Sequence, residues 1–162
     1  MRKSVLGAAS LVVAAALGAC SSGGSTNTPP PSDKDKATVE VGAQAVKTRK
    51  CVDCHGQNMA GSSAPLAYPQ DTRVELWAQN LTPDTDYGIA TWTDTQIAFG
   101  IRSGQDNDGL QLCPQMQHFS TMNDYETYSI VKYLRSIPPV HQAVPRSVCP
   151  PLKTKDEQDA GK

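Results

Sequence analysis

Cys51-Val52-Asp53-Cys54-His55 is the stretch on which the reading of this 162-residue chain turns. C-x-x-C-H is the attachment pattern of c-type haem: two thiols meet the two vinyl carbons on one edge of the porphyrin, and the next side chain swings under the metal as an axial ligand. Cys51, Cys54 and His55 are therefore the candidate cofactor-binding residues, with His55 on the iron, and one covalent haem c is the expected cofactor. Two other chemistries share part of the pattern. Zinc could take Cys51, Cys54 and His55 but needs a fourth ligand and ordinarily a second Cys/His pair at short spacing, which this sequence does not offer. A thioredoxin-like dithiol needs a βαβ setting, which the hydropathy pattern does not provide.

The beginning of the chain reads as an export signal. Arg2 and Lys3 precede an apolar run over residues 5–17, too short to span a bilayer in the mature protein. Leu17-Gly18-Ala19-Cys20 resembles the bacterial lipobox, which implies a signal peptide over 1–19 and lipidation of Cys20. Cleavage near Ala16 or Ala19 by the ordinary signal peptidase is the alternative, and would leave a protein free in the periplasm. Of the five cysteines, assigning Cys20 to lipid and Cys51 and Cys54 to haem leaves Cys113 and Cys149. Two left-over thiols in an oxidising compartment are expected to pair. Closing that loop would stabilise the fold by roughly 3 to 4 kcal/mol in the chain-entropy view. Cys113 as an iron ligand is the alternative, although thiolate ligation suits oxygen activation.

Residues 20–36 read as the lipidated cysteine and a flexible tether, because SSGGSTNTPPPSDKDK holds no apolar side chain that could join a core. Such a tether reaches about 20 to 24 Å on average. Residues 153–162 read as a disordered tail, and 37–152 as one small domain of single-core size. Aromatic residues make up 6% of the chain, so a large apolar cofactor would supply part of that core. Without Arg2 and Lys3 the charged side chains are 13 basic and 16 acidic, a formal −3. That balance argues against a nucleic-acid partner.

The periodicity predicts an all-α domain of about three to five helices joined by long loops. One helix runs over 39–50 into the haem motif, with Gly42 as a weak point in its first turn. Thr93-Asp94-Thr95-Gln96 fits a capping box, and Ser103-Gly104 supplies the stop for the helix that follows. Asn123-Asp124-Tyr125-Glu126 opens a helix to about Ile137, closed by Pro138-Pro139, with Ile130, Tyr133 and Leu134 on its buried face. Residues 56–78 and 106–117 show no period, as expected of loops wrapped round a cofactor.

A second axial ligand must come from Met59, Met116, Met122, His118 or His141. Met59 stands four residues past His55, a reach of about 14 Å at most, too short to round the porphyrin and return. Met122 precedes the Asn123 cap, where an apolar residue serves as a hydrophobic staple. His118 would give a bis-histidine haem of lower potential, and His141 lies beyond the helix-ending prolines. Met116, in a loop just ahead of the last helix, has ample chain to reach the iron and is the favoured ligand; a thioether there raises the potential.

Taken together, the chain resembles a single-domain class I cytochrome c, of the kind found in the cytochrome subunits of membrane-bound alcohol and sugar-acid dehydrogenases. Cys51 to Gly56, Asn80-Leu81-Thr82-Pro83-Asp84 with Tyr87-Gly88-Ile89 and Trp92-Thr93-Asp94, Arg102-Ser103-Gly104, and Met116 with Tyr133 to Val140 carry the resemblance. It implies Met116 as distal ligand, and offers Asn80, Thr82 and Trp92 as contacts of the haem or its propionates. Arg102 could neutralise a propionate or be a solvated cation at a helix end. The family usually has a proline after that methionine and an aromatic residue three before it, where this chain has Gln117 and Cys113; relatives generally carry three such domains. The implied function is single-electron transfer with redox partner proteins such as a dehydrogenase, an oxidase or another cytochrome. No catalysis and no small-molecule substrate are expected. The alternative is a haem enzyme or gas sensor with an open distal position, in which His118 acts as the nearby acid or base.

Overall fold

A computed structural model describes residues 33–67 and 74–149. The signal, the lipobox with Cys20, most of the tether and the tail lie outside these residues. Four helices appear in the order α1 (Val39–Thr48), α2 (Cys51–His55), α3 (Asp94–Ser103) and α4 (Asp124–Ser136). Among the described residues strand pairing is limited to the isolated bridges Leu66 to Leu76, Glu75 to Val148 and Gln105 to Gln111. No described helix is long and apolar enough to cross a membrane.

Local chemistry sets each helix start. Thr38 and Asn123 accept from the third residue of α1 and α4, Val41 and Glu126, and Thr93 and Gln96 form a reciprocal capping box on α3. Asn123 supplies half a box, since the Glu126 carboxylate instead grips Arg49 through two bonds of 2.8 Å. Gly104 ends α3 in the left-handed region with φ 68°. The helix expected over 39–50 is α1, which stops at Thr48; Lys50 then takes φ 60° and turns the chain, so that the haem motif starts a short helix of its own at Cys51.

The core lies where α1 meets α4. Ala45 and Val46 pack with Ile130, Val131 and Leu134, and Ile97 and Ala98 of α3 close the cluster with Met59, Ile89 and Met122. Gly42 is not a weak point. It is buried at this crossing, and a β-carbon there would overlap the Ser129 carbonyl and the Tyr133 side chain, so only glycine lets the backbones approach so closely. The buried face of α4 is more polar than its periodicity suggested: Thr127 and Ser129 are fully buried with Ile130, Val131 and Leu134, while Tyr133 sits at the edge. Both hydroxyls donate back to carbonyls of their own helix. Ser129 also accepts the Thr38 amide at 3.1 Å.

Residues 33–36, grouped with the tether on composition, form a turn against α4: the Lys34 ammonium lies 4.4 Å from the Tyr128 ring centre. The Lys132 ammonium donates to the Ala37 carbonyl at 2.7 Å. Arg135 of α4 holds the 89–92 turn by donating to the carbonyls of Ile89, Ala90 and Trp92 and to Asp94.

Candidate haem site

The left-handed Lys50 begins a new turn whose two thiols, Cys51 and Cys54, are both free, Cys54 exposed and Cys51 partly so. Burial pushes the Cys51 thiol up, with smaller opposing help from the backbone and Arg49. His55 closes the turn and is buried, with 8% of its surface exposed. Its Nδ1–H donates to the Gln79 carbonyl at 2.8 Å, which fixes the ring and leaves Nε2 as the nitrogen for a metal. Burial pulls the imidazole down from its ordinary value, more than the Gln79 bond raises it, so the neutral, ligating form prevails. This donor set suits a haem c: two uncommitted thiols one helical turn apart, followed by a neutral imidazole oriented from behind.

Backbone bonds lock the surrounding chain. Gly56 turns with φ 76°, the Gly61 amide donates to the His55 carbonyl at 3.0 Å, and the Leu81 amide to the Met59 carbonyl at 2.8 Å. Residues 56–61 and 78–81 thus form one pad behind His55.

The methionines divide cleanly. Met59 is fully buried and Met122 is 6% exposed, and both belong to the core cluster. Met116 is half-buried and stands outside that cluster, with its amide donating to the Cys113 carbonyl at 2.9 Å. Cys113 is joined to Cys149 by a disulfide whose Cα atoms are 5.7 Å apart. His118 is exposed, its ring lying over Gly104 where a β-carbon would strike it. His141 is on the surface, 3.3 Å from Asp84 and packed at a tilt against Tyr87 with ring centres 4.7 Å apart.

The model of the family described as Cytochrome c matches residues 39–138. The chain belongs to the cytochrome c family. This cytochrome is 32% identical over 117 residues to the cytochrome c subunit of the alcohol dehydrogenase (quinone) of Gluconacetobacter polyoxogenes, covering 68% of this chain and 24% of the relative. It is 26% identical over 130 residues to the fructose dehydrogenase cytochrome subunit of Gluconobacter japonicus, covering 75% and 26%. It is 29% identical over 114 residues to the gluconate 2-dehydrogenase cytochrome c subunit of Pantoea cypripedii, covering 66% and 25%. The chain thus spans about a quarter of the length of these relatives. Membership makes this an all-α, class I cytochrome with covalently bound haem c, for which Cys51 and Cys54 are the fitting attachment pair.

Several residues offered by resemblance as haem contacts have protein partners. The Asn80 amide donates to the Val140 carbonyl at 2.7 Å and the Gln142 carbonyl at 3.2 Å, while its oxygen accepts from the Thr82 amide and hydroxyl. The Thr82 hydroxyl in turn accepts the Val140 amide at 3.0 Å. Trp92 packs on the core. Arg102 is a partly exposed cation in the last turn of α3, but it is not free: it donates to Thr127 and Asp124, tying α3 to α4. Sequence reasoning named Val140, His141 and Cys149 singly but did not see residues 140–149 as one irregular strap, because their mixed composition carries no periodic signal. The Gln79 carbonyl went unnoticed too, since a backbone acceptor leaves no trace in residue identity.

Proposed function

We propose that this protein is a periplasmic mono-haem cytochrome, anchored to a bacterial membrane by lipid on Cys20, that relays single electrons between redox partner proteins through a haem ligated by His55 and Met116. Electron transfer is the common thread of the dehydrogenase cytochrome subunits it resembles. The observation that carries the distal assignment is the sorting of the methionines: Met59 and Met122 are consumed by the core, and Met116 is left over. The bound haem would supply an iron that changes oxidation state with little rearrangement when both axial positions are filled.

The chain's own residues do the positioning. Cys51 and Cys54 would hold the haem covalently, Gln79 orients the His55 ring that would bind its iron, and the 105–122 loop carries Met116 as the second ligand. The basic, apolar and lipobox segments at the start of the sequence support export and anchoring. A partner of the dehydrogenase class is suggested by the relatives, which are dehydrogenase subunits; an oxidase or another cytochrome is the acceptor we infer.

The test is Met116→Ala. The wild-type ferric protein is expected to show the near-infrared methionine-to-iron band. The variant should lose that band, turn high-spin and bind cyanide at once. A variant that keeps a low-spin spectrum with the band moves the ligand elsewhere. A high-spin wild type favours the enzyme or sensor with an open distal position.

A further inference from the structure

The strap over 140–149 touches both halves of the site. On the side of His55, the Gln79 side-chain amide donates to the Pro145 carbonyl at 2.8 Å, and Gln79 is the residue whose carbonyl holds the His55 ring. Next to it, the Ser147 hydroxyl accepts the Trp77 amide at 2.8 Å and donates to the Trp77 carbonyl at 2.9 Å, and Val148 pairs with Glu75. On the other side, the strap reaches the Met116 loop twice. Arg146 meets Asp106 at 3.1 Å, and Cys149 is bonded to Cys113.

The placement of that bond is informative. The Leu112 amide is tied to the Gly104 carbonyl and the Phe119 amide to the Ile101 carbonyl. Residues 113–118 are the excursion between these ties. The disulfide secures its first residue, and the Cys113 carbonyl accepts the Met116 amide one turn later. A residue so linked moves with the strap, and the strap moves with Gln79.

We propose that the Cys113–Cys149 disulfide is a positioning device for the distal ligand: it fastens the Met116 excursion to the same strap that braces the His55 side, so that the two axial ligands are held at a common separation. The inference rests on Met116 being that ligand. An unpinned excursion samples more conformations, and the fraction of time Met116 spends away from iron rises. An exogenous ligand then binds faster in proportion to that fraction.

The experiment compares four haem-loaded proteins: wild type, C113S/C149S, M116A, and the combination of all three substitutions. Ferric spectra and the rate of cyanide binding are read, with circular dichroism to establish that the helices persist. The double-serine variant should show a weakened near-infrared band and cyanide binding faster by about tenfold. In the M116A background the same serine substitutions should add nothing, because no methionine remains to be released. Equal acceleration in both backgrounds assigns the disulfide a general structural role and overturns the proposal, as does wild-type behaviour of the double-serine variant. M116A that retains the band overturns the ligand assignment itself, a separately visible failure. Should the double-serine protein not accumulate with haem, the folded, haem-loaded wild type is treated with a phosphine to reduce the disulfide, alkylated, and its iron reoxidised with ferricyanide; cyanide binding must then accelerate, and an unchanged rate with both thiols alkylated overturns the proposal.

Discussion

Where His55 closes a helical turn, buried against a carbonyl 24 residues away, Met116 lies on a half-buried excursion with no helix of its own, beside a cross-link to the far end of the domain. The first arrangement starts from neighbours, a left-handed Lys50 and two glycine turns, and adds one pad of backbone bonds to residues 78–81. The second depends on residues remote in the chain. A ligand whose own turn is set locally is less exposed to distant changes than one on an excursion, which takes its position from whatever fastens the excursion. The two sides of the domain should therefore answer differently to the same kind of perturbation.

A paired glycine substitution gives the largest contrast. Gly42→Ala forces a β-carbon onto the Ser129 carbonyl at the α1 and α4 crossing, and should cost about 3 kcal/mol in denaturant unfolding. Gly109→Ala, in the distal loop at φ 80°, meets nothing within 4 Å and should cost only the left-handed backbone penalty, about 1 kcal/mol. Equal costs would erase the distinction between a packed side and a fastened one. Next in size, Asn80→Ala removes the amide that serves the strap and Thr82 together, leaving buried groups unpaired; a loss of about 2 kcal/mol is expected, with faster amide exchange across 140–148. Unchanged exchange there would mean that the strap is held from its distal end.

The smallest effect is a pH dependence where the strap begins. The Tyr87 amide above all, then the Asp86 amide and His141, hold the Asp84 carboxyl below its ordinary range, against the opposing effect of burial. A depressed carboxyl contributes stability at neutral pH that is lost as pH falls through its folded value, below about 4. The melting temperature should therefore drop on acidification, and Asp84→Asn, which keeps an acceptor for the turn but cannot titrate, should flatten part of that fall. An identical acid slope in the variant would assign the loss to other carboxylates.

Much of this architecture was legible in the sequence because it is local. The capping residues Thr93 and Asn123, the Gly104 stop and the helices they bound are chemistry between residues three or four apart, and the C-x-x-C-H spacing fixes its own turn. What could not be read is what distance joins. Gly42 looks like a defect until α4 arrives against it, and Arg102 looks free until Thr127 and Asp124 are placed beside it. Asn80 and Thr82 carry the family's pattern, yet their bonds go to an irregular segment some sixty residues later, with no period to announce it.

The crossing of α1 and α4 bears on how the molecule is made. Thr38 and Ser129, which meet there, are 91 positions apart. Bringing such remote points together carries an entropic cost of about 4 kcal/mol before any contact repays it. A growing polypeptide cannot recover that cost until its final helix has emerged. The topology thereby orders assembly: the capped turns can form as they appear, and the seam between the first and last helices closes after everything between them.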